Sequence, residues 1–121
     1  MSVKVALVID DNNEISESLR FFLELEGFIV DCCENGRSAL DRVKELRFDL
    51  ILIDYAMPEM NGDEVTRIMR YFCQDTFFVG MSLENREKEF IAAGADAFIS
   101  KDRLIQDLAP FIGKRAFSRN K

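Results

Sequence analysis

Two hydrophobic periodicities alternate along this chain, and the alternation limits its fold more than any other feature. Short apolar runs typical of β-strands are each followed by apolar residues at helical spacing. The strand-like runs are Val3–Ile9, Phe28–Cys33, Leu50–Ile53, Phe77–Ser82 and Ala97–Ser100. Strands that alternate with helices are typical of a parallel sheet covered on both faces. The sequence therefore predicts an α/β domain in which a strand–helix unit occurs five times.

The predicted helices are defined by apolar stripes. Gly27 and Gly94 stand where helix C-termini favour glycine, and Pro110 predicts a bend or a fresh start in the last helix. The stripes consist of Ile15, Leu19, Phe22 and Leu23; Ala39, Leu40, Val43 and Leu46; Val65, Ile68, Met69 and Phe72; Phe90 and Ile91; and Leu104, Ile105, Leu108, Phe111 and Ile112.

Length and composition narrow the class of protein. The 121 residues match the usual size of one domain, and 48% of them are hydrophobic, so we expect a single domain over residues 1–121. A net charge of −6 disfavours nucleic acid as a direct partner. The chain has no histidine, which excludes a Ser-His-Asp triad and a Cys-His pair. The three cysteines fit neither a disulfide framework nor a zinc site, so we expect free thiols.

The sequence also indicates the cellular compartment in which we expect the protein. No apolar run approaches the roughly 20 residues that a membrane helix needs. The apolar start of the chain is interrupted by Asp10 and Asp11, which is not the pattern of a signal peptide. We therefore expect a soluble, cytoplasmic protein without membrane contact, and we interpret the basic segment from Gly113 to Lys121 as a solvated end.

The segment LILIDYAMPEMNG places Asp54 directly after a buried strand. An isolated buried charge costs several kcal/mol, so Asp54 needs a partner or a task. The carboxyl ends of parallel strands meet at one edge of the sheet, where ligands bind. That edge should also hold Asp10 and Asp11 after the first strand, Ser82 after the fourth and Lys101 after the fifth. One lysine does not neutralise three carboxylates, so the sequence predicts Lys101 and Mg²⁺ as the partners of Asp54.

Three stretches of the chain and one single residue match the pattern of a known family. They are VIDDN at Val8–Asn12, FDLILIDYAMPEMNG at Phe48–Gly62, Ser82, and AAGADAFISK at Ala92–Lys101. Over nearly its whole length the chain resembles the receiver domains of two-component response regulators, the family of the single-domain chemotaxis regulator. The resemblance implies a flavodoxin-like, doubly wound (βα)5 fold with strand order 2-1-3-4-5.

The resemblance also implies a role for each residue at the sheet edge. Asp54 would accept a phosphoryl group from a phosphohistidine on a sensor histidine kinase or a phosphotransfer protein. Asp10, Asp11, Asp54 and the backbone carbonyl of Ala56 would hold Mg²⁺. Lys101 would pair with Asp54 and then with the phosphoryl oxygens. Such a protein accepts phosphate, with self-dephosphorylation at most, and is not a turnover enzyme.

The switch and the partners follow from the same resemblance. Ser82 would reach the phosphoryl group, and Phe98 would turn inward to fill the space that Ser82 leaves. The signal would leave through helix four, strand five and helix five, roughly Glu84 to Leu108. The implied partner is a downstream protein target, an output domain or a second copy of the phosphorylated chain.

Three departures from the family pattern leave alternatives open. Asp102 stands where proline commonly follows the lysine, which leaves either a trans or a strained peptide bond. Leu83 and Ala56 flank the predicted site and affect how fast phosphate arrives and leaves. A pseudo-receiver that only docks other proteins is therefore the main alternative. Asp10 and Asp11 could instead cap the first helix, and Ser82 the fourth.

Two other functional classes fit less well. A phosphatase of the haloacid dehalogenase type also uses an aspartate after a strand, but it needs a second acid two residues later, where this chain has Ala56. A nucleotide-binding domain needs a glycine-rich phosphate loop, and the chain has neither G-x-G-x-x-G nor a P-loop.

Overall fold

The computed structural model describes residues 3–113, so the basic segment 114–121 lies outside the described residues. Strands and helices alternate as predicted. The elements are β1 (Lys4–Ile9), α1 (Asn13–Leu25), β2 (Phe28–Cys33), α2 (Gly36–Glu45), β3 (Leu50–Asp54), α3 (Gly62–Met69), β4 (Phe77–Ser82), α4 (Glu87–Ala93), β5 (Ala97–Ser100), a 3₁₀ turn (Lys101–Arg103) and α5 (Leu104–Gly113).

The strands form one parallel sheet in the order β2-β1-β3-β4-β5, which confirms the predicted fold class. Successive residues of a strand face opposite sides of the sheet, so each strand contributes to two apolar layers. Ala6 and Val8 face the layer covered by α1 and α5, whereas Leu7 and Ile9 face the layer covered by α2, α3 and α4. The central strand β3 is buried along its whole length, as expected for a strand covered on both faces.

The predicted helical stripes are correct for the residues that face the sheet, but they also include residues that the structure leaves exposed. Leu19, Leu23, Val65 and Met69 are fully buried. Five residues assigned to stripes are instead at least one-third exposed: Leu46, Ile68, Phe72, Ile91 and Ile105. Leu46 and Phe72 lie beyond the last residues of α2 and α3, so the helical spacing continues in the sequence beyond these helices, whereas the other three lie on the exposed sides of their helices.

Helix boundaries correct two interpretations of polar residues. Asn12, rather than Asp10 or Asp11, caps α1, because its side-chain oxygen accepts the N–H groups of Glu14 and Ile15 at 2.9 and 3.1 Å. Ser82 does not cap α4, which begins five residues later at Glu87. Pro110 lies within α5.

Two glycines shape the chain at opposite edges of the sheet. Gly94 ends α4 with a φ of 110°, as its position in the sequence indicated. Gly62 acts differently: it does not have a positive φ, and a Cβ there would lie 2.1 Å from the Asp54 carbonyl oxygen. A side chain at this position would push α3 away from β3.

Candidate functional site

The predicted site residues meet at the carboxyl edge of the sheet, around an open cavity of about 420 Å³. Asp54 is the last residue of β3, and Lys101 follows β5. The loops after β1, β3 and β4 complete the wall. Its lining residues are Asp11, Asn12, Asp54, Tyr55, Ala56, Ser82, Leu83, Glu84, Arg86 and Lys101.

Lys101 is the protein partner of the buried Asp54. Its Nζ lies 2.9 Å from Asp54 Oδ1 and 2.9 Å from Asp10 Oδ2. The side chains of Asp10 and Asp54 are 0% and 6% exposed, and that of Lys101 is 12% exposed. The ammonium group thus joins two carboxylates that are almost completely removed from water.

Asp10 is further fixed by its own backbone and by the start of α1. Its N–H donates to the Cys33 carbonyl at 3.1 Å, and its Oδ1 accepts the Asn12 N–H at 2.9 Å. The Asn12 side chain in turn caps α1, so the loop after β1 holds Asp10 rigidly while Asp11 is exposed to solvent.

The carboxylates fit a divalent cation. One oxygen from each of Asp10, Asp11 and Asp54 lies within 4.8 Å of the other two. Lys101 supplies one positive charge to three potential negative charges, so the group carries surplus negative charge when ionised. Oxygen ligands from a few carboxylates, with room for water, suit Mg²⁺.

Burial acts in opposite directions on the two members of the ion pair, yet the pKa of each lies above its ordinary value. Burial raises the pKa of the Asp54 carboxyl, the hydrogen bond from Lys101 opposes this, and the charge of Asp10 adds to it. Burial by itself would lower the pKa of Lys101, but the hydrogen bonds to Asp10 and Asp54 outweigh it and hold that pKa above its usual value. Lys101 therefore stays charged, while Asp54 is a more basic carboxylate than an exposed one.

The two predicted switch residues occupy different places. Ser82 is buried at the end of β4, and its Oγ accepts the Glu84 N–H at 3.0 Å. Phe98 is half-buried in β5, with its ring centroid 6.0 Å from that of Phe90. Phe98 lines a neighbouring cavity together with Leu83 and Glu84, rather than the cavity that holds Asp54.

The structure shows where the three residues that depart from the family pattern lie, namely Asp102, Leu83 and Ala56. The described residues contain no cis peptide bond, so Lys101 and Asp102 are joined in trans. The Asp102 N–H donates to Ser100 Oγ at 3.2 Å, which starts the 3₁₀ turn. Leu83 is 70% exposed at the rim of the cavity, and Ala56 lies in its wall beside Asp54.

Sequence reasoning assigned no role to Tyr55 or Arg86, which both line the cavity. Arg86 lies with its Cζ 4.3 Å from the centroid of the Tyr55 ring, next to Asp54 in the chain. Tyr55 followed from the strand motif, but no local pattern distinguished Arg86 from other charged surface residues. Its position depends on how the loop after β4 folds back toward the loop after β3.

Together, this sheet order and an acidic group paired with a lysine at the carboxyl edge define a receiver-type domain of the response regulator class. The family profile described as "Response regulator receiver domain" matches residues 6–112. The chain belongs to this family of two-component systems.

Individual relatives agree with this assignment. The response regulator MprA of Mycolicibacterium vanbaalenii is 33% identical over 111 residues, which cover 89% of this chain and 48% of that protein. The response regulator TrrA of Thermotoga maritima, solved in complex with Mg(2+)-BeF, has a TM-score of 0.82 at 30% identity, covering 92% of this chain and 97% of TrrA. The chemotaxis response regulator CheY4 of Vibrio cholerae has a TM-score of 0.81 at 26% identity, covering 90% and 98%.

Two further facts concern the length of the chain and its helices. The chain spans about half the length of the MprA proteins that it matches. Among the helices in residues 3–113, none combines the length and the apolar character needed to cross a membrane.

Proposed function

We propose that Asp54 accepts a phosphoryl group from a phosphohistidine on a sensor histidine kinase or a phosphotransfer protein. The observation that carries this proposal is a buried carboxylate held by Lys101 at 2.9 Å, beside two further acids and open to a cavity. A structural ion pair needs neither the extra acids nor the opening.

The transfer itself needs little from the protein beyond position and charge. One Asp54 carboxylate oxygen attacks the phosphorus as the nitrogen–phosphorus bond breaks, and the bonding pair leaves with the imidazole, which then takes a proton. The raised pKa of Asp54 favours it as a nucleophile, and Lys101 remains protonated to meet the phosphoryl oxygens. No histidine base is required, which is consistent with a chain that has none.

Mg²⁺ is the cofactor that this proposal includes. Asp10, Asp11, Asp54 and the Ala56 carbonyl would hold it, and it would supply charge neutralisation for the phosphoryl oxygens. The support is the surplus of carboxylates over cations at the site, together with the Mg(2+)-BeF complex described for TrrA.

The output side of the proposal involves Ser82 and Phe98. A phosphoryl group on Asp54 adds roughly one to two negative charges at one point, and it would draw the Ser82 hydroxyl toward it. The loop after β4 would then shift, Phe98 would move inward, and the face of α4, β5 and α5 would change for a downstream target or output domain. Phe98, Leu83 and Glu84 already share a cavity on that face.

Labelling with phosphate tests the proposal directly. In the presence of Mg²⁺ and a phosphorylated kinase or a small phosphodonor, the wild type should gain one phosphoryl group that hydroxylamine removes. Asp54→Asn should gain none, whereas the matched variant Asp41→Asn, at an exposed acid on α2, should label normally. Label retained in Asp54→Asn would place the acceptor elsewhere, and an unlabelled wild type would favour a docking module without phosphate chemistry.

The metal is tested separately. Titrating Mg²⁺ should shift the amide resonances around Asp54, and Asp11→Ala should abolish the saturable response. Asp11 is the exposed member of the group, so its removal disturbs the fold least. A wild type without a saturable response would contradict the metal part of the proposal.

A further inference from the structure

Arg86 joins three separate segments at the rim of the cavity. Its Nη2 lies 3.0 Å from Glu84 in the loop after β4, and its Nη1 lies 3.2 Å from Glu89 in α4. Its guanidinium also stacks on the ring of Tyr55, which follows β3. Arg86 is itself the residue that precedes α4, so one side chain connects the ends of β3 and β4 with the next helix.

The ring beneath Arg86 is a fixed platform. The Tyr55 N–H donates to the Met81 carbonyl at 2.9 Å, and its hydroxyl accepts the Asn61 side-chain amide at 3.3 Å. Its ring meets the edge of Phe90 at 6.1 Å between centroids. A cation over such a ring gains from the aromatic face, and here it gains at a defined position.

Arg86 acts on Ser82 through Glu84. The Glu84 carboxylate is bonded to Arg86, while the Glu84 N–H donates to Ser82 Oγ at 3.0 Å. Within residues 3–113, no hydrogen bond joins Ser82 to Asp54 or Lys101. The same loop residue is therefore held by Arg86 on one side and holds the hydroxyl on the other.

Not every N–H group of the Arg86 guanidinium has a hydrogen-bond acceptor among the described residues. Its Nε is enclosed and has no acceptor among the described residues. Its ion pairs are also of the partly exposed kind, with Arg86 33% exposed and Glu84 75% exposed. Such a contact restrains a loop without locking it, which suits a part that has to move.

We propose that Arg86 is a positioning residue that holds the loop after β4 in the arrangement where Ser82 bonds to Glu84, and so opposes the movement of Ser82 toward an anion on Asp54. This inference rests on the proposed phosphoacceptor function and concerns how readily that site switches. Arg86 touches neither the acceptor nor the anion; it acts through Glu84. Removing it makes the anion-bound arrangement less costly to reach.

Beryllofluoride binding in the presence of Mg²⁺ measures this cost. Arg86→Ala should bind beryllofluoride about two- to fivefold more tightly than the wild type, the range expected for losing partly exposed ion pairs. Arg86→Lys keeps one charge but loses the planar fork, and it should fall between the two. Arg42→Ala removes an ion pair with Asp31 far from the cavity and should leave the affinity unchanged.

The direction of the change separates this role from a general structural one. A variant that merely loosened the site would bind beryllofluoride more weakly, so unchanged or weaker binding by Arg86→Ala overturns the inference. Amide exchange in the free protein gives an independent readout, because the Glu84 N–H should exchange faster in Arg86→Ala; equal rates also overturn it. A wild type that binds no beryllofluoride contradicts the phosphoacceptor proposal and this inference together, whereas a wild type that binds and an unaltered variant contradict this inference alone.

Discussion

Two enclosed cations lie at opposite edges of the sheet, and they differ in how fully their surroundings satisfy them. At the amino edge, Arg70 donates to the carbonyls of Gly94, Cys73 and Thr76 at 2.7, 3.0 and 2.8 Å. It also pairs with Asp96 at 2.7 Å. At the carboxyl edge, the ion-pair partners of Lys101 within residues 3–113 are the carboxylates of Asp10 and Asp54.

The difference distinguishes a structural ion pair from a functional one. Arg70 has one acid and three neutral carbonyls, and its guanidinium also lies 4.3 Å from the Phe78 ring centroid. Charge at that edge is balanced, and the Asp96 carboxylate also accepts the Phe78 N–H at 2.9 Å. Lys101 is outnumbered by Asp10, Asp11 and Asp54, so the carboxyl edge retains an attraction for cations that the amino edge lacks.

The largest effect on stability should come from breaking the balanced edge. Arg70→Ala removes the ion pair with Asp96 and deprives three carbonyls of a donor, so we expect a loss of about 3–5 kcal/mol in the free energy of unfolding. Urea denaturation with and without Mg²⁺ measures it, and Mg²⁺ should recover none of the loss beyond its effect on the wild type. Arg67→Ala, at an exposed position of α3, the helix that Arg70 directly follows, should stay within about 0.5 kcal/mol of the wild type. A loss below about 1 kcal/mol for Arg70→Ala would show that the comparison misjudges this edge.

A smaller effect should follow from removing the cation at the unbalanced edge. Lys101→Met leaves two buried carboxylates together, but these can take up a proton or a metal ion, so we expect a loss of about 2 kcal/mol at pH 7 without metal. Added Mg²⁺ should recover part of it, because a ligand that binds the folded state stabilises that state. Lys88→Met, at an exposed position of α4, is the matched control. If Mg²⁺ restored the Arg70 variant and not this one, the contrast between the edges would be wrong.

The smallest effect is a pH dependence that sharpens the same contrast. The pKa of Asp54 in the folded protein lies above its ordinary value of 3.8, so its contribution to stability is greatest below that value and is lost as pH rises through the folded pKa. Asp54→Asn removes this loss. In metal-free buffer the variant should be more stable than the wild type at pH 7, and its advantage should shrink as pH falls toward 3.8. Urea midpoints between these pH values give the difference, and an advantage independent of pH would contradict the burial argument.

The arrangement of charged residues at the carboxyl edge could largely be predicted from the sequence. Asp54 follows a run of apolar residues, and a parallel sheet brings the ends of its strands together, so Lys101 and Asp10 could be assigned as neighbours from sequence alone. β2, β4 and β5 have the predicted bounds because apolar runs and turn residues both mark them. The functional roles assigned to these residues remain predictions.

Arg70, Arg86 and Asn12 could not be assigned in this way. Arg70 looks like a helix-end cation in the sequence, and its four acceptors come from four different loop positions. Arg86 depends on a loop that folds over Tyr55. Glycine is required at position 62 by the approach of α3 to the Asp54 carbonyl, which only the packed structure reveals.

The Lys101–Asp10 contact makes the site a measure of how completely the chain has folded. These residues come from opposite ends of the described chain, and β1 and β5, the strands that precede them, are separated in the sheet by β3 and β4. Closing such a long loop is entropically unfavourable until the central strands have assembled. A nascent or partly unfolded chain therefore presents Asp54 without its lysine. Under the proposed function, competence for phosphate chemistry should then appear only when the last strand has joined the sheet, and an incomplete copy should not compete for the phosphoryl donor.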